Sequence, residues 1–304
     1  DINPIYGSIQ KLHSRDTDLV TLCEDKCLRI LANKDAVFNA DGNPNLVATS
    51  NVLGQTVPFS GEFGISKNPE SFASESYRAY FTDKVRGVVM RLSKDGLTPV
   101  SMYGMKDWFK DNLKLSSKLI GSYDDKKDEY NITLNNSYDG SPKTVSFRED
   151  VKGWVSFKSF IPEFGISMAN NYYTMNQGSL YRHHDESVAR NAFYNSFTNS
   201  SINVILNAKP GIIKSFRTLN YEGSQAKINK GVNSLREFYD QPPTNYDDQE
   251  YYNLSAQDGW FVESSVNRVG NMITTDQDTG YITDFIEKEG KWFANMNKFI
   301  DTNL

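Results

Sequence analysis

Leu119-Ile120-Gly121-Ser122-Tyr123, Asp124-Asp125-Lys126-Lys127-Asp128, Glu129-Tyr130-Asn131-Ile132-Thr133-Leu134: two β-prone runs with a charged turn between them. Aromatic and β-branched side chains alternate with small polar ones, the period of a pleated strand. Downstream of the Asp139-Gly140-Ser141-Pro142 turn come Thr144-Val145-Ser146-Phe147 and Gly153-Trp154-Val155-Ser156-Phe157. Four strands within roughly forty residues is the length of one propeller blade. Within the last run, simple alternation puts Trp154 and Phe157 on opposite sides of the strand.

The same design recurs on both sides. Leu19-Val20-Thr21-Leu22 and Cys27-Leu28-Arg29-Ile30-Leu31 flank Glu24-Asp25-Lys26, and Tyr77–Thr82 and Val88–Leu92 flank a turn containing Gly87. Both read as hairpins. Lys94-Asp95-Gly96-Leu97 makes a further turn. Asn171–Met175 with Ser179–His183, and Ser201–Leu206 with Ile212–Arg217, read as two later hairpins. One helix stands out, with Met105, Trp108, Phe109 and Leu113 at helical spacing and Ser101 as its cap. The fold class is therefore mainly β: a propeller-like array of small antiparallel sheets with one short helix. A β-sandwich with a long meander is the alternative. Residues 225–258 are polar, with Gln241-Pro242-Pro243 and Asn245-Tyr246-Asp247-Asp248, and read as a connector. This divides the chain into a β-propeller-like domain, 1–224, and a connector with a smaller C-terminal α/β or β module, 225–304.

Composition narrows the function. The chain has 304 residues, 13 % of them aromatic, and a net charge of −5. That charge disfavours general binding to a phosphate backbone, which needs a basic face. No run approaches the ~20 apolar residues of a membrane-spanning helix. The chain opens on Asp1-Ile2-Asn3-Pro4 and closes on Asn303-Leu304, which reads as a piece of a longer protein.

No nucleophile elbow, P-loop, dinucleotide fingerprint or zinc-protease motif is present. Cys23-x-x-x-Cys27 lacks a second ligand pair; His13, His183 and His184 are the only histidines. Two reduced thiols beside a strand are the favoured reading. His183-His184-Asp185-Glu186 is the densest titratable cluster, but adjacent strand residues face opposite ways, so a surface strand end is preferred to a metal site. Asp124, Asp125, Asp128, Glu129, Asp247 and Asp248 read as solvated turns rather than a glycosidase pair. Asp276-x-Asp278-x-Gly280 with Glu287, and Asn39-x-Asp41-x-Asn43, are oxygen-rich turns that fall short of a calcium loop. Asn131, Asn135, Asn199 and Asn253 head glycosylation-like triplets that chance explains. Lys84, Arg86, Arg91 and Lys94 form a basic patch near Tyr80 and Phe81. A solvated edge is favoured there over nucleic-acid binding. No catalytic residue, cofactor or metal is expected.

An ordered series of motifs carries a resemblance. It runs through Gln55-Thr56-Val57-Pro58-Phe59, Gly64-Ile65-Ser66, Asn68-Pro69-Glu70-Ser71-Phe72, Tyr80-Phe81-Thr82-Asp83, Leu92-Ser93 and Asp95–Pro99. It continues in Gly104-Met105 with Asp107-Trp108-Phe109, Gly121–Asp124, Tyr130–Leu134, Gly153–Phe157 and Asn220–Gly223, and again in Phe285–Phe293. This series resembles large virion structural proteins of tailed phages, specifically the tail nozzle proteins, also called muzzle or stabilisation proteins, of short-tailed and crAss-like phages. The resemblance implies a non-enzymatic, propeller-bearing virion subunit. It implies a homo-oligomeric ring, commonly sixfold, that extends the portal or adaptor, contacts other tail proteins and helps retain and channel DNA. The alternative is a receptor- or carbohydrate-binding propeller tail protein, for which Tyr172 and Trp154 would be the sugar-facing aromatics.

Overall fold

The computed structural model describes residues 2–15, 18–38, 44–188, 191–206, 209, 211–212, 217–222, 260–262, 265–266, 272–273 and 283–295. The chain divides into two compact units, Asp1–Ser200 and Ser201–Leu304.

In the first unit, β1 (Ile9–Ser14), β2 (Asp18–Cys23), β3 (Cys27–Phe38) and β4 (Pro44–Pro58) pair in sequence order. Next come β5 (Ala73–Ser74), β6 (Ala79–Asp83), β7 (Val88–Ser93) and β8 (Gly96–Pro99), again in order. Helix α1 (Lys106–Leu113) precedes the third sheet: β9 (Leu119–Asp124), β10 (Glu129–Leu134), β11 (Lys143–Arg148) and β12 (Gly153–Lys158). A three-stranded sheet follows, of β13 (Phe164–Met168), β14 (Asn171–Asn176) and β15 (Ser179–Arg182), then the short pair β16 (Ala192–Phe193) and β17 (Ser196–Phe197). Every pairing is antiparallel between neighbours in sequence, so each sheet is a local meander. The expectation of a mainly β chain of small antiparallel sheets with one short helix holds for the described residues.

Alternation along β6 and β7 explains how the sheets stack. Tyr80 and Val89 face one way and join Phe109, Leu113, Leu119, Tyr123, Tyr130, Ile132, Val145 and Phe147 in a core shared with α1 and the third sheet. Ala79, Phe81, Val88, Met90 and Leu92 face the other way and join Val20, Leu22 and Cys27 of the first sheet. The second sheet is thus buried on both faces, and its strands read as nearly continuous apolar runs. Full burial of each such side chain contributes about 1.5–3 kcal/mol.

Three sequence-derived placements are corrected. Ser101 does not cap α1; it lies in a 3-10 turn, Val100–Met102, and its Oγ accepts from Val89 N at 3.2 Å. Gly104, at φ 81°, separates that turn from the helix, which begins after Met105. Trp154 and Phe157 do not lie on opposite sides of β12. Trp154 pairs with Phe147 and Phe157 with Val145, so both share the core-facing side. An extra residue between those pairs, a β-bulge at Val155, reverses the parity. Finally, Ser201–Leu206 joins no sheet, and of its expected partner run only Ile212 and Arg217 are described, neither in a strand. A β-prone run makes a strand only where a ladder is available to it.

In the second unit, β18 (Thr218–Tyr221) is followed by β19 (Phe261–Val262), β20 (Ser265–Val266), β21 (Met272–Ile273), β22 (Thr283–Asp284), β23 (Ile286–Lys288) and β24 (Lys291–Asn295). β24 is central to a sheet with β18 and β23. Tyr221 stacks on Trp292 at 6.2 Å. The proposed connector, 225–258, lies outside the described residues, as do both calcium-like turns apart from the backbone of Glu287.

Candidate functional site: a buried polar seam and an open apolar face

The third sheet has two unlike faces. One is the apolar core above. The other carries Ser122, Asp124, Glu129, Asn131, Thr133, Thr144 and Ser146, all buried. Such a face ordinarily meets water. Here the fourth sheet covers it, and its polar groups bond to one another. Thr133 and Thr144 hydroxyls lie 2.7 Å apart, and Thr144 Oγ1 donates to the Phe160 carbonyl at 2.7 Å. Ser146 Oγ donates to Asn131 Oδ1 at 2.5 Å. The Tyr172 hydroxyl, from β14, meets Ser122 Oγ at 2.7 Å, and Ser167 Oγ donates to the Tyr123 carbonyl at 2.8 Å. Lys158 Nζ pairs with Glu129 at 3.0 Å. An unpaired polar group in such a seam costs about 1–3 kcal/mol, so the network admits one register of sheet on sheet.

Both adjacent histidines enter this seam, contrary to their expected place at a surface strand end. β15 ends at Arg182, and His184 turns into the left-handed region at φ 60°. That brings the His184 ring to the same side as His183, with ring centroids 6.1 Å apart and Tyr172 beside both. His183 Nε2 meets Thr174 Oγ1 at 2.7 Å, and the Tyr194 hydroxyl meets the same Thr174 oxygen at 2.7 Å. His184 Nε2 meets Asp124 Oδ2 at 2.6 Å. Burial pushes His183 down to about 4, with the neighbouring His184 adding to the effect. The neutral ring is the one this seam holds.

Other sequence candidates fall as follows. Asp124 and Glu129 are buried, not solvated as expected; Asp125 and Asp128 are exposed, and Asp247 and Asp248 lie outside the described residues. Cys23 and Cys27 are free and buried, and burial raises both thiols. Among the described residues no group of three or more His, Cys, Asp or Glu is placed to hold a metal ion. Asn131 is buried; Asn253 lies outside the described residues. Arg91 of the basic patch is tied to Glu149 at 2.7 Å and Arg86 to the buried Asp83 at 2.9 Å, so both arginines of the patch are paired with carboxylates. The Tyr80 hydroxyl donates to the same Glu149 at 2.8 Å. Tyr172 is buried, and Trp154 packs on Phe109 with its Nε1 donating to the Val100 carbonyl at 3.1 Å. Neither is placed to face a sugar.

The opposite face of the fourth sheet is open. Phe164, Ile166, Met168, Met175 and Leu180 share it by register and are all exposed. Sequence reasoning missed both this face and the polar seam. The signal was there in the alternation, with Phe164, Ile166 and Met168 on one side, and short hydroxyl residues rather than lysines on the third sheet's polar side.

The geometry is that of packed sheets with structural interfaces, and a family comparison agrees with it. The family model of the crassvirus muzzle protein matches residues 1–178, from the first sheet through the β14–β15 turn. The chain belongs to this family. No curated protein matches it. Muzzle family membership makes the chain a structural component of the phage virion tail. The polar seam and the two apolar cores lie almost wholly within the muzzle-matched span, whereas β15, His183, His184 and Tyr194 follow it. Among the described residues, no helix is long and apolar enough to cross a membrane.

Proposed function

We propose that this chain is a ring-forming muzzle subunit, without catalytic activity, that extends the portal or adaptor and helps retain and channel DNA. The muzzle-family match over residues 1–178 carries this reading. Its meandering four-stranded sheets are arranged as successive propeller blades. A sheet buried on both faces, as the second one is, supports that arrangement, because each blade of a propeller packs between two others. A closed ring of six copies is the form the motif resemblance implies. Identical copies close into rings through heterologous contacts, in which one surface of a subunit meets a different surface of the next.

Single-particle reconstruction of the virion tests the proposal. The expected map places this chain in a symmetric ring on the tail axis, next to the portal or its adaptor. Finding the chain as a peripheral appendage, or outside the particle, overturns it.

A further inference from the structure

The β16–β17 hairpin is the smallest sheet of the first unit, with two residues in each strand and two residue pairs between them. It belongs to neither apolar core. A hairpin this short is not stable alone in water, so its place depends on what it docks against. Phe193 and Tyr194 make that contact. The Phe193 ring lies 5.1 Å from Phe160 and 5.7 Å from His183, and the Tyr194 ring lies 4.7 Å from Tyr181. The Tyr194 hydroxyl meets Thr174 Oγ1, which in turn meets His183 Nε2, both at 2.7 Å.

One arrangement of protons uses both hydroxyls. Tyr194 donates to Thr174, and Thr174 donates to a bare His183 Nε2. A proton on Nε2 turns that acceptor into a donor. Thr174 must then aim its own proton at Tyr194, whose proton loses its acceptor; among the described residues the Tyr194 hydroxyl has no second partner. The new charge also lacks a free counter-ion. Phe160, Phe193 and Tyr172 surround the ring. The ionisable groups facing it are His184, Asp124 of β9, Lys158 of β12, and the phenols Tyr172 and Tyr194. Asp124, the one carboxylate among them, is already held by His184 at 2.6 Å, and Lys158 opposes a positive ring. Displacing the hairpin lets water reach His183 and removes the cost of charging it.

We propose that β16–β17 is an acid-released latch. It docks on Phe160 and Thr174 while His183 is neutral, and it leaves them when His183 takes up a proton, the stacked sheets staying folded. Linkage sets the size of the effect. With the hairpin docked the ring titrates at about 4, and with it displaced near the ordinary 6.5. Between those values the open form binds one more proton. The open fraction should therefore rise about tenfold per pH unit as the pH falls.

The test uses the full chain. Hydrogen–deuterium exchange, corrected at each pH for the intrinsic rate, is followed from about pH 7.5 to about pH 5. Amides of residues 192–198 should lose protection by about tenfold per pH unit below the ordinary histidine value, while those of β9, β10 and β11 keep theirs. His183→Phe should hold the hairpin protected throughout. Proton NMR of the histidine rings gives the reciprocal readout, with the His183 signal identified by its loss in His183→Phe. Phe193→Ala loosens the hairpin at every pH and should raise the His183 midpoint by about one unit or more. A contact that only packs, with no coupling to the proton, leaves that midpoint where it is. Equal protection of the hairpin at both ends of the pH range overturns the inference. So does loss of protection in β9–β11 at the same pH, an unchanged pH dependence in His183→Phe, or an unmoved midpoint in Phe193→Ala.

Discussion

Gly121 lies in the middle of β9, facing the apolar core side. A Cβ there would collide with the Ser71 carbonyl oxygen, which accepts the Tyr130 hydroxyl at 2.7 Å. Backbone meets backbone at this point, so no side chain can yield. Gly121→Ala should cost about 1–3 kcal/mol, seen as a fall in the denaturant midpoint with an unchanged slope. His183 gives a pH signature. Its ordinary value is 6.5 and the folded one is about 4, so between them the unfolded chain binds the proton and the folded chain does not. Stability therefore rises with pH through this window and falls on acidification. Taking the pH from about 6.5 to about 4.5 should remove about 2–3 kcal/mol through this residue. His183→Phe would sit among Phe160, Phe193 and Tyr172 and leave Thr174 bonded to Tyr194. Chemical denaturation of that variant at several pH values should show a flatter slope.

At the scale of elements, the β12 bulge is what lets one strand supply two aromatics to one helix. Trp154 lies 4.4 Å from Phe109 and 5.3 Å from Phe147, and Phe157 lies 5.3 Å from Trp108. The two should not weigh equally. Trp154→Ala removes core packing and the bond to Val100, and should cost about 3–5 kcal/mol. Phe157 is half exposed, and Phe157→Ala should cost about 1 kcal/mol. Equal losses in parallel urea titrations would contradict this difference in burial.

On the scale of the molecule, β6 and β7 serve two cores at once, one with the first sheet and one with the third. The sheets of Asp1–Ser200 should therefore open together. Phe81→Ala, placed in the core shared with the first sheet, should cost about 3–5 kcal/mol. Hydrogen exchange should then quicken in β9–β12 amides as well as in β2 and β3. Protection lost only in the first two sheets would mean that the cores fold separately.

Alternation and turn chemistry determined the local meanders: the β2–β3 turn at Glu24–Lys26, the β6–β7 hairpin with Gly87, the β9–β10 turn and the β14–β15 turn are all legible residue by residue. Those are short-range choices, settled by strand period and by which residues tolerate a turn. The motif series likewise carried the muzzle family. Tertiary structure alone decided the rest. A polar strand face reads as solvent-facing until another sheet covers it, and that is how the seam of Ser122, Asp124, Asn131 and Tyr172 stayed hidden. A bulge in β12 depends on what Trp154 and Phe157 pack against, and the turn at His184 on what its ring bonds. Ser201–Leu206 has the composition of a strand, but a strand exists only when another backbone completes its ladder.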